Sequence, residues 1–251
     1  MLKEPINIIS NSAKISKTGG PSKVFTNTVK GFDKIGQTYS INEPISNHKY
    51  NWIHDSVNGF IEVIVSKQPA LLGPNLFVFP EDIPFFLPNY SQNIFLHPSS
   101  WCVNAWKQLD FNSCKLNFWP VGIDLEDFIP SNCRNENEVL LYFKKRKSIK
   151  MEEVIERLEK QDLKVNLISY GSYNEAEYKS ALKKSSFGVW VGTTESQGIG
   201  LQEALATNLP LIVLENTNIL DHETPEINDL PQYASNIKGT SIPYWDNNCG
   251  I

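Results

Sequence analysis

The second half of the sequence alternates short apolar runs with amphipathic segments, and this alternation limits the fold more than any other feature. The apolar runs predict strands at 139–143, 165–169, 187–191 and 211–214. Between them, helical spacing of apolar residues over 151–158, a capping arrangement of Asn174 with Glu177, and the segment 198–207 predict helices. Strands that alternate with helices are typical of parallel sheets covered by helices, so we expect an α/β fold.

The first half of the sequence carries a looser form of the same pattern. A strand is predicted at 6–10, a glycine-containing loop follows, and helical spacing then runs to Gly36. A further helix is predicted over 99–109. The polar stretch 126–138 is the best linker candidate, so we expect an N-terminal Rossmann-like lobe over 1–125 and a C-terminal one over 139–251.

Composition excludes several classes of protein. A chain of 251 residues with 41% hydrophobic and 20% charged residues can bury a core, which argues against disorder. The net charge of −5 argues against a dedicated nucleic-acid binder. The four cysteines lack CxxC spacing, which indicates reduced thiols rather than a zinc ribbon or a disulfide framework. Residues 1–5 lack the apolar segment of a signal peptide, and Pro84, Pro88 and Pro98 interrupt the uncharged stretch 83–106, so we expect a cytoplasmic protein without a membrane span.

The segment from Gly192 to Ala204 is the part of the sequence most indicative of chemistry. It follows a predicted buried strand and opens a helix, and Gly198 and Gly200 leave the amides of the first turn uncovered. The amides and the helix dipole together make such a terminus an anion site. Glu195 precedes the helix and Glu203 lies one turn after Gly200, and carboxylates accept hydrogen bonds from sugar hydroxyls. A ligand with sugar, diphosphate and ribose in a row would meet Glu195, the helix terminus and Glu203 in that order.

At this point the sequence resembles the family 4 glycosyltransferases of the GT-B fold. The stretch ESQGIGLQEALATNLPLIV, from Glu195 to Val213, is similar to the family motif EGFGLxxLEAMAxGxPVI, and 121–130 is similar to NGIDxxxFxP. The resemblance is firm over 116–217 and loose over 1–115. It implies two Rossmann-like lobes whose parallel sheets face each other across a cleft, with a C-terminal lobe shorter than in the family.

The resemblance also implies roles for residues of the second lobe. Glu195 would bind the donor sugar as the catalytic carboxylate, Glu203 would bind the ribose, and Lys145 and Lys150, with Arg146 as the alternate, would bind the diphosphate. The complete set of donor-binding candidates is Lys145, Arg146, Lys150, Gly171, Tyr173, Glu195, Ser196, Gln197, Gly198, Ile199, Gly200 and Glu203.

The first lobe is less well defined. Family members place a histidine after a strand of this lobe, whereas the matching segment 70–76 has none, and Asn75 or one of its neighbours fills the position. His54 is the preferred catalytic candidate instead, with His97 and Asp82 as weaker ones. The glycine pair after the first strand, Gly19 and Gly20, is assigned with Asn75 to the acceptor side of the cleft.

The function that follows is a retaining, metal-independent glycosyltransferase that moves a sugar from a nucleotide-diphosphate sugar to a hydroxyl acceptor. The acceptor, a glycan, lipid or protein, stays open. No Asp-x-Asp occurs, so neither a metal nor another cofactor is expected. The alternative is a non-catalytic nucleotide-sugar-binding protein. A Rossmann dehydrogenase and a P-loop kinase are poor alternatives, since GxGxxG and GxxxxGK[ST] are both missing.

Overall fold

The chain divides into two units, Met1–Gly122 and Ile123–Ile251. The structure is a computed structural model that describes residues 4–14, 19–84, 91–223, 235–246 and 249; Pro88 lies outside the described residues. Each unit contains one parallel sheet, and the described part of the chain forms six α-helices, which confirms the expected α/β class with two Rossmann-like lobes. No helix within the described residues has the length and apolar composition needed to cross a bilayer.

The first unit has six strands and three helices among its described residues. In chain order they are β1 (Ile6–Ile9), α1 (Gly20–Ile35), β2 (Tyr39–Ile41), β3 (Tyr50–Ile53), α2 (Val57–Ser66), β4 (Ala70–Leu72), β5 (Ile94–His97), α3 (Ser100–Gln108) and β6 (Lys115–Phe118). The strand order is β2-β1-β3-β4-β5-β6. In this register Ile53 lies between Ile9 and Leu72, so the carboxyl ends of β1, β3 and β4 meet at one edge of the sheet.

Side chains on the two faces of this sheet form two separate parts of the core. Successive residues of a strand point to opposite faces. On one face Trp52 packs with Phe25 of α1. On the other face Phe95 packs with Phe60 of α2 and Trp106 of α3. The first sheet is therefore covered by helices on both faces, as expected for parallel strands.

The second unit repeats the alternation that the sequence predicts. Its elements are β7 (Asn135–Phe143), α4 (Met151–Glu159), β8 (Lys164–Ser169), α5 (Glu175–Lys184), β9 (Ser185–Val191), α6 (Ile199–Ala206) and β10 (Leu211–Val213). The strand order is β10-β9-β7-β8, all parallel. Because β7 starts at Asn135, the last four residues of the expected linker 126–138 belong to a strand, and the units meet at 122/123 rather than at 125/126.

The two faces of the second sheet bury different helices. Tyr142 of β7 and Trp190 of β9 pack against α5 and α6, whereas Leu141 of β7 packs against α4. The predicted capping box at α5 is present, with Asn174 accepting from the Glu177 amide and Glu177 accepting from the Asn174 amide. Lys144, the residue after Phe143, is two positions beyond Tyr142 and therefore lies on the same face of the sheet, the face that packs against α6.

Candidate functional site

Three strands of the second sheet end side by side and bring their following residues together. The Lys144 amide, directly after β7, donates to the Val191 carbonyl at the end of β9, at 2.9 Å. The Tyr170 amide, directly after β8, donates to the Phe143 carbonyl at 2.9 Å. The carboxyl edge of the sheet thus carries Lys144, Tyr170 and the loop 192–198 that leads into α6. Open α/β sheets bind ligands at this edge.

A buried ion pair occupies this edge. The Lys144 Nζ lies 2.9 Å from both Oε1 and Oε2 of Glu195, with only 15% and 12% of the two side chains exposed. The same ammonium stands 4.7 Å from the centre of the Tyr170 ring, within range of a cation–π contact. Burial alone would lower the pKa of Lys144, but the charge and hydrogen bonds of Glu195 raise it above its usual value. Lys144 is therefore a charged group held beside a carboxylate.

The N-terminus of α6 lies beside the base of the Glu195 side chain. Gly198 caps the helix in the left-handed region, at φ 58° and ψ 40°, and the first turn contains no acidic residue. A Cβ on Gly198 would lie 3.7 Å from the Glu195 Cβ and 3.4 Å from the Pro243 ring. Gly198 and Ile199 are buried, Gly200 is half-buried and Ser196 is exposed, so the helix terminus is partly covered by the chain.

Gln197, directly before the capping residue, has a side chain without hydrogen bonds. It is 5% exposed, and within the described part of the chain neither its Oε1 nor its Nε2 finds a partner. The large majority of buried polar groups in proteins are hydrogen-bonded. A buried amide with both ends unpaired at a helix N-terminus is a group that a polar ligand can satisfy.

Glu203 and a group of aromatic side chains lie further along α6. Glu203 is 2% exposed, and burial followed by the Glu203 charge raises the pKa of Tyr178 well above its usual value. The Tyr178 hydroxyl donates to the Gly200 carbonyl. Tyr173 lies 5.6 Å from Tyr178, ring centre to ring centre. The second predicted carboxylate is therefore buried beside tyrosines, one of which fixes the first turn of the helix.

The segment 235–246 contacts the loop that carries Glu195. The sequence does not predict this contact. The Glu195 amide donates to the Thr240 carbonyl at 2.7 Å, and the Gly239 amide donates to the Thr217 carbonyl at 3.1 Å. A Cβ on Gly239 would lie 2.7 Å from the Thr194 Cγ2, so the backbone of this segment approaches the loop closely. No local pattern in 235–246 indicates this contact.

The three basic residues chosen from the sequence lie elsewhere. The Arg146 guanidinium donates to Asp221 and to the carbonyls of Leu214 and Glu215, so it ties the segment after β10 to the segment after β7. Lys150 is exposed beside Glu153, at 3.6 Å. Lys145 is exposed, at a positive φ of 36°. The structure brings none of these three to Glu195; Lys144 stands there instead.

A signal for Lys144 exists in the sequence. Residues two apart in a strand share a face, and Leu140 and Tyr142 belong to the face that packs against α6. Lys144 is the next residue in that series. The spacing of the family motif instead favours Lys145 as the diphosphate-binding residue.

Two of the predicted donor-binding residues, Gly171 and Tyr173, follow β8. Gly171 is exposed in the left-handed region at φ 82°, and nothing lies within 4 Å of a Cβ built on it. The half-buried Tyr173 points its ring toward the aromatic group under α6, 6.5 Å from Tyr142.

His54 is the buried polar residue at the carboxyl edge of the first sheet. It follows β3, is 0% exposed, and has no hydrogen-bond partner for either ring nitrogen among the described residues. Burial lowers its pKa to about 4, against the opposing charge of Asp55. The backbone amide of Asn75 donates to the His54 carbonyl at 3.1 Å. The side-chain Nδ2 of Asn75 is likewise buried without a partner among the described residues. The structure thus brings these two candidates together.

The weaker candidates of the first unit are separated from His54. His97 is on the opposite face, stacked on Phe95 at 5.2 Å, and burial lowers its pKa to about 3. Asp82 accepts from the amides of Val78 and Phe79. Gly19 caps α1 without a side-chain hydrogen bond, and nothing lies within 4 Å of a Cβ built on Gly19 or Gly20.

Comparisons with known proteins add a similarity of fold. No protein-family model and no curated protein matches the sequence. Among solved structures, the chain is similar to the crystal structure of Anabaena Alr3699/HepE in complex with UDP and glucose. The two chains are 11% identical, the similarity covers 84% of this chain and 80% of the other, and the TM-score is 0.48. A similarity at this level carries no information on the substrate or reaction of the present chain.

Among the described residues, no group of three or more His, Cys, Asp and Glu side chains is placed to share a metal ion. Metal independence stays a prediction.

Proposed function

We propose that the protein is a glycosyltransferase that takes a nucleotide-diphosphate sugar, binds it through the second unit, and transfers the sugar to a hydroxyl acceptor with retention of configuration. The observation that carries the proposal is the arrangement at the N-terminus of α6. There Glu195, paired with Lys144, lies in the loop that leads to the glycine cap, and the buried side-chain amide of Gln197 in the same loop has no hydrogen-bond partner among the described residues. One carboxylate, one ammonium and a helix terminus are the groups that a sugar diphosphate requires.

The charges of the site match the two parts of such a donor. The positive helix terminus and the Lys144 ammonium favour the diphosphate. Both Glu195 oxygens accept hydrogen bonds from Lys144. Because a carboxylate oxygen can accept more than one hydrogen bond, Glu195 is proposed to accept one from a sugar hydroxyl as well. Glu203, on α6, is proposed for the ribose. These assignments support donor binding by the second unit alone.

The proposed reaction is a displacement on the front face of the sugar. The acceptor hydroxyl forms the new bond to the anomeric carbon while the bond to the diphosphate breaks, and the leaving phosphate takes the hydroxyl proton. Negative charge grows on the leaving group in the transition state, and preorganised positive groups stabilise it there. Lys144 and the helix terminus are proposed to do this without a metal ion.

His54 and Asn75 of the first unit are proposed to contact the acceptor. Both present buried polar atoms that have no hydrogen-bond partner among the described residues, and His54 is uncharged at neutral pH because burial lowers its pKa to about 4. A neutral imidazole can donate a hydrogen bond to a hydroxyl or accept one from it.

Ligand-dependent thermal stability tests donor binding. A ligand that binds only the folded state raises the melting temperature. We expect one nucleoside diphosphate among UDP, GDP and ADP to raise it, and a sugar nucleotide with the same base to do so as well. If no compound in this set changes the melting temperature of the wild-type protein, the donor site is wrong.

Substitution of Glu195 tests its role, with Glu159→Gln on the exposed end of α4 as the matched control. Glu195→Ala is expected to reduce sugar transfer at least about a hundredfold, because it removes a group that binds the reacting sugar. Glu159→Gln should leave transfer unchanged, and chelation by EDTA should not reduce it. Donor binding without transfer or donor hydrolysis would favour the non-catalytic binding protein.

A further inference from the structure

Glu215 lies where the segment after β10 meets the segment 235–246, just beyond the stretch that is similar to the family motif. The family resemblance gives it no role. Its Oε1 accepts from the Thr240 hydroxyl at 2.7 Å and from the Ser241 amide at 3.3 Å. Hydrogen bonds to a carboxylate are stronger than those between neutral groups. The side chain of Glu215 therefore fixes the position of residues 240 and 241.

Thr240 connects Glu215 with the backbone of Glu195. While the Thr240 hydroxyl donates to Glu215, the Thr240 carbonyl accepts from the Glu195 amide at 2.7 Å. A Cβ on the neighbouring Gly239 would lie 2.7 Å from the Thr194 Cγ2, so the two segments are in close contact at this point. A shift of Thr240 therefore moves the group that holds the Glu195 amide.

The backbone of Glu215 is itself held by the chain that follows β7. The Arg146 guanidinium donates to the Glu215 carbonyl at 3.1 Å. Lys144, two residues before Arg146, donates to both carboxylate oxygens of Glu195 at 2.9 Å. The contacts thus form a closed ring that runs from Lys144 along the chain to Arg146, then through Glu215 and Thr240, and back through Glu195.

We propose that Glu215 is a positioning residue of the donor site: by holding Thr240, it fixes the backbone of Glu195 so that the Glu195 carboxylate meets the donor sugar. This inference rests on the proposed function, in which Glu195 binds the reacting sugar. Glu215 acts through the backbone and does not itself contact the donor. A small displacement of a group that binds the reacting part of a substrate is enough to weaken its action strongly.

Hydrogen exchange of the Glu195 amide, measured by NMR on the full chain, tests the contact. Glu215→Ala should raise the exchange rate about tenfold, because opening of the contact then breaks one fewer hydrogen bond to a charged group. The rate is divided by that of the amide of the buried Leu141 in β7, so that a general loss of stability is not counted. Glu215→Gln should exchange like the wild type, because its Oε1 can accept the same two hydrogen bonds.

Calorimetry tests the positioning role. The ligands are three pairs that differ by one sugar, namely UDP with UDP-glucose, GDP with GDP-mannose and ADP with ADP-glucose. For the pair that binds the wild type, Glu215→Ala should weaken binding of the sugar nucleotide about tenfold, since a hydrogen bond to the Glu195 carboxylate is lost. The Kd of the nucleoside diphosphate should stay within about twofold, because this ligand has no sugar for Glu195 to bind. Glu215→Gln should recover the affinity for the sugar nucleotide.

Glu138→Ala is the matched control for both measurements. Glu138 accepts from the Asn166 side chain at 2.9 Å and from the Lys164 ammonium at 3.3 Å, near the amino end of β7 and at the opposite edge of the same sheet. The change removes a carboxylate with two similar hydrogen bonds but does not touch the Glu195 loop. The exchange rate of the Glu195 amide and both affinities should therefore match the wild type.

The outcomes separate this inference from the proposed function. If the wild type prefers the sugar nucleotide and Glu215→Ala keeps that preference, or keeps the wild-type exchange rate at Glu195, Glu215 is not a positioning residue and the donor site survives. Equal weakening of both ligands would show general damage and would also overturn the inference. Should Glu215→Ala fail to fold by circular dichroism, Thr240→Val, which removes the hydroxyl at the other end of the contact, decides by the same two measurements. If the wild type binds no ligand of any pair, the proposed function fails, and this inference fails with it.

Discussion

The carboxyl edges of the two sheets hold polar groups in different ways. At the second sheet, the Lys144 ammonium and the Glu195 carboxylate form a buried ion pair. At the first sheet, His54 and His97 are buried without charge, because burial lowers the pKa of His54 to about 4 and that of His97 to about 3. The Asp55 carboxylate, next to His54 in the chain, accepts hydrogen bonds from the backbone amides of Asn11 and Ser12.

This contrast shows how one topology builds two kinds of site. Burying a charge is favourable only when a partner compensates it, and a group without a partner becomes neutral instead. At the carboxyl edge of the second sheet, Lys144 has a partner and keeps its positive charge, which suits an anionic ligand. The first edge supplies aromatic neighbours to His54, namely Phe25 and Trp52, and so keeps a neutral polar group.

The largest expected effect comes from the glycines that turn the chain at the two edges. Gly73 has φ 95°, and a Cβ there would lie 2.2 Å from the Leu96 carbonyl oxygen, which is backbone and cannot move aside. Gly73→Ala should therefore lower the free energy of unfolding by roughly 4 kcal/mol or more. Gly198→Ala meets the Pro243 ring at 3.4 Å and the Glu195 Cβ at 3.7 Å, both ordinary contact distances, and should cost about 1 kcal/mol because of its left-handed backbone. Urea unfolding followed by circular dichroism measures both, and equal losses would contradict the difference.

The next effect is the response of the first edge to acid. The unfolded chain binds a proton at His54 near pH 6.5, whereas folding lowers this pKa to about 4. The contribution of His54 to the free energy of unfolding is therefore fully present above about pH 6.5. As the pH falls toward 4, roughly 3 kcal/mol of this contribution is lost. His54→Phe removes this titration and should make the acid side of the stability profile less steep in that window, while His97, whose pKa burial lowers to about 3, keeps its own share of the slope. An unchanged acid side would show that His54 is not buried as described.

The third effect measures the coupling of the charged pair. A double-mutant cycle of Lys144→Met and Glu195→Gln should give a coupling of about 2 kcal/mol, because either single change leaves a buried charge unpaired. The exposed pair of Lys160 with Glu156, at 2.6 Å, is the control, and its coupling should not exceed about 0.5 kcal/mol. A similar coupling in both pairs would remove the distinction between the two environments.

The order of strands and helices in the second unit was predictable from the sequence because the elements have strong local signals. The apolar run of β9, the capping box at α5 and the helix opening at Gly198 all depend on residues within a few positions of one another. Glu195 and Glu203 were selected by the same kind of local spacing, and the structure buries both at the predicted helix.

The contacts that complete the site depend on distant residues and could not be predicted in the same way. The contact of Glu195 with Thr240 joins positions 45 residues apart, and Arg146 binds Asp221 across 75 residues. The choice of Lys144 over Lys145 depends on which face of β7 packs against α6, a fact of tertiary structure. Local spacing identifies the residues that begin α6, but it does not identify Lys144 as the charged side chain on the face of the sheet that packs against this helix.

The smallest expected effect concerns the two helix starts that differ in their caps. Asn174 caps α5 with a side-chain hydrogen bond, whereas Gly19 caps α1 in extended backbone without one. Because Gly19 has open space around it, Gly19→Asn can adopt the same conformation and should raise the free energy of unfolding by a few tenths of a kcal/mol. Asn174→Ala should lower it by about 1 kcal/mol. If Gly19→Asn stabilises the chain and also weakens sugar transfer, the start of α1 serves the acceptor rather than the fold. Stabilisation with full transfer would remove Gly19 from the acceptor side.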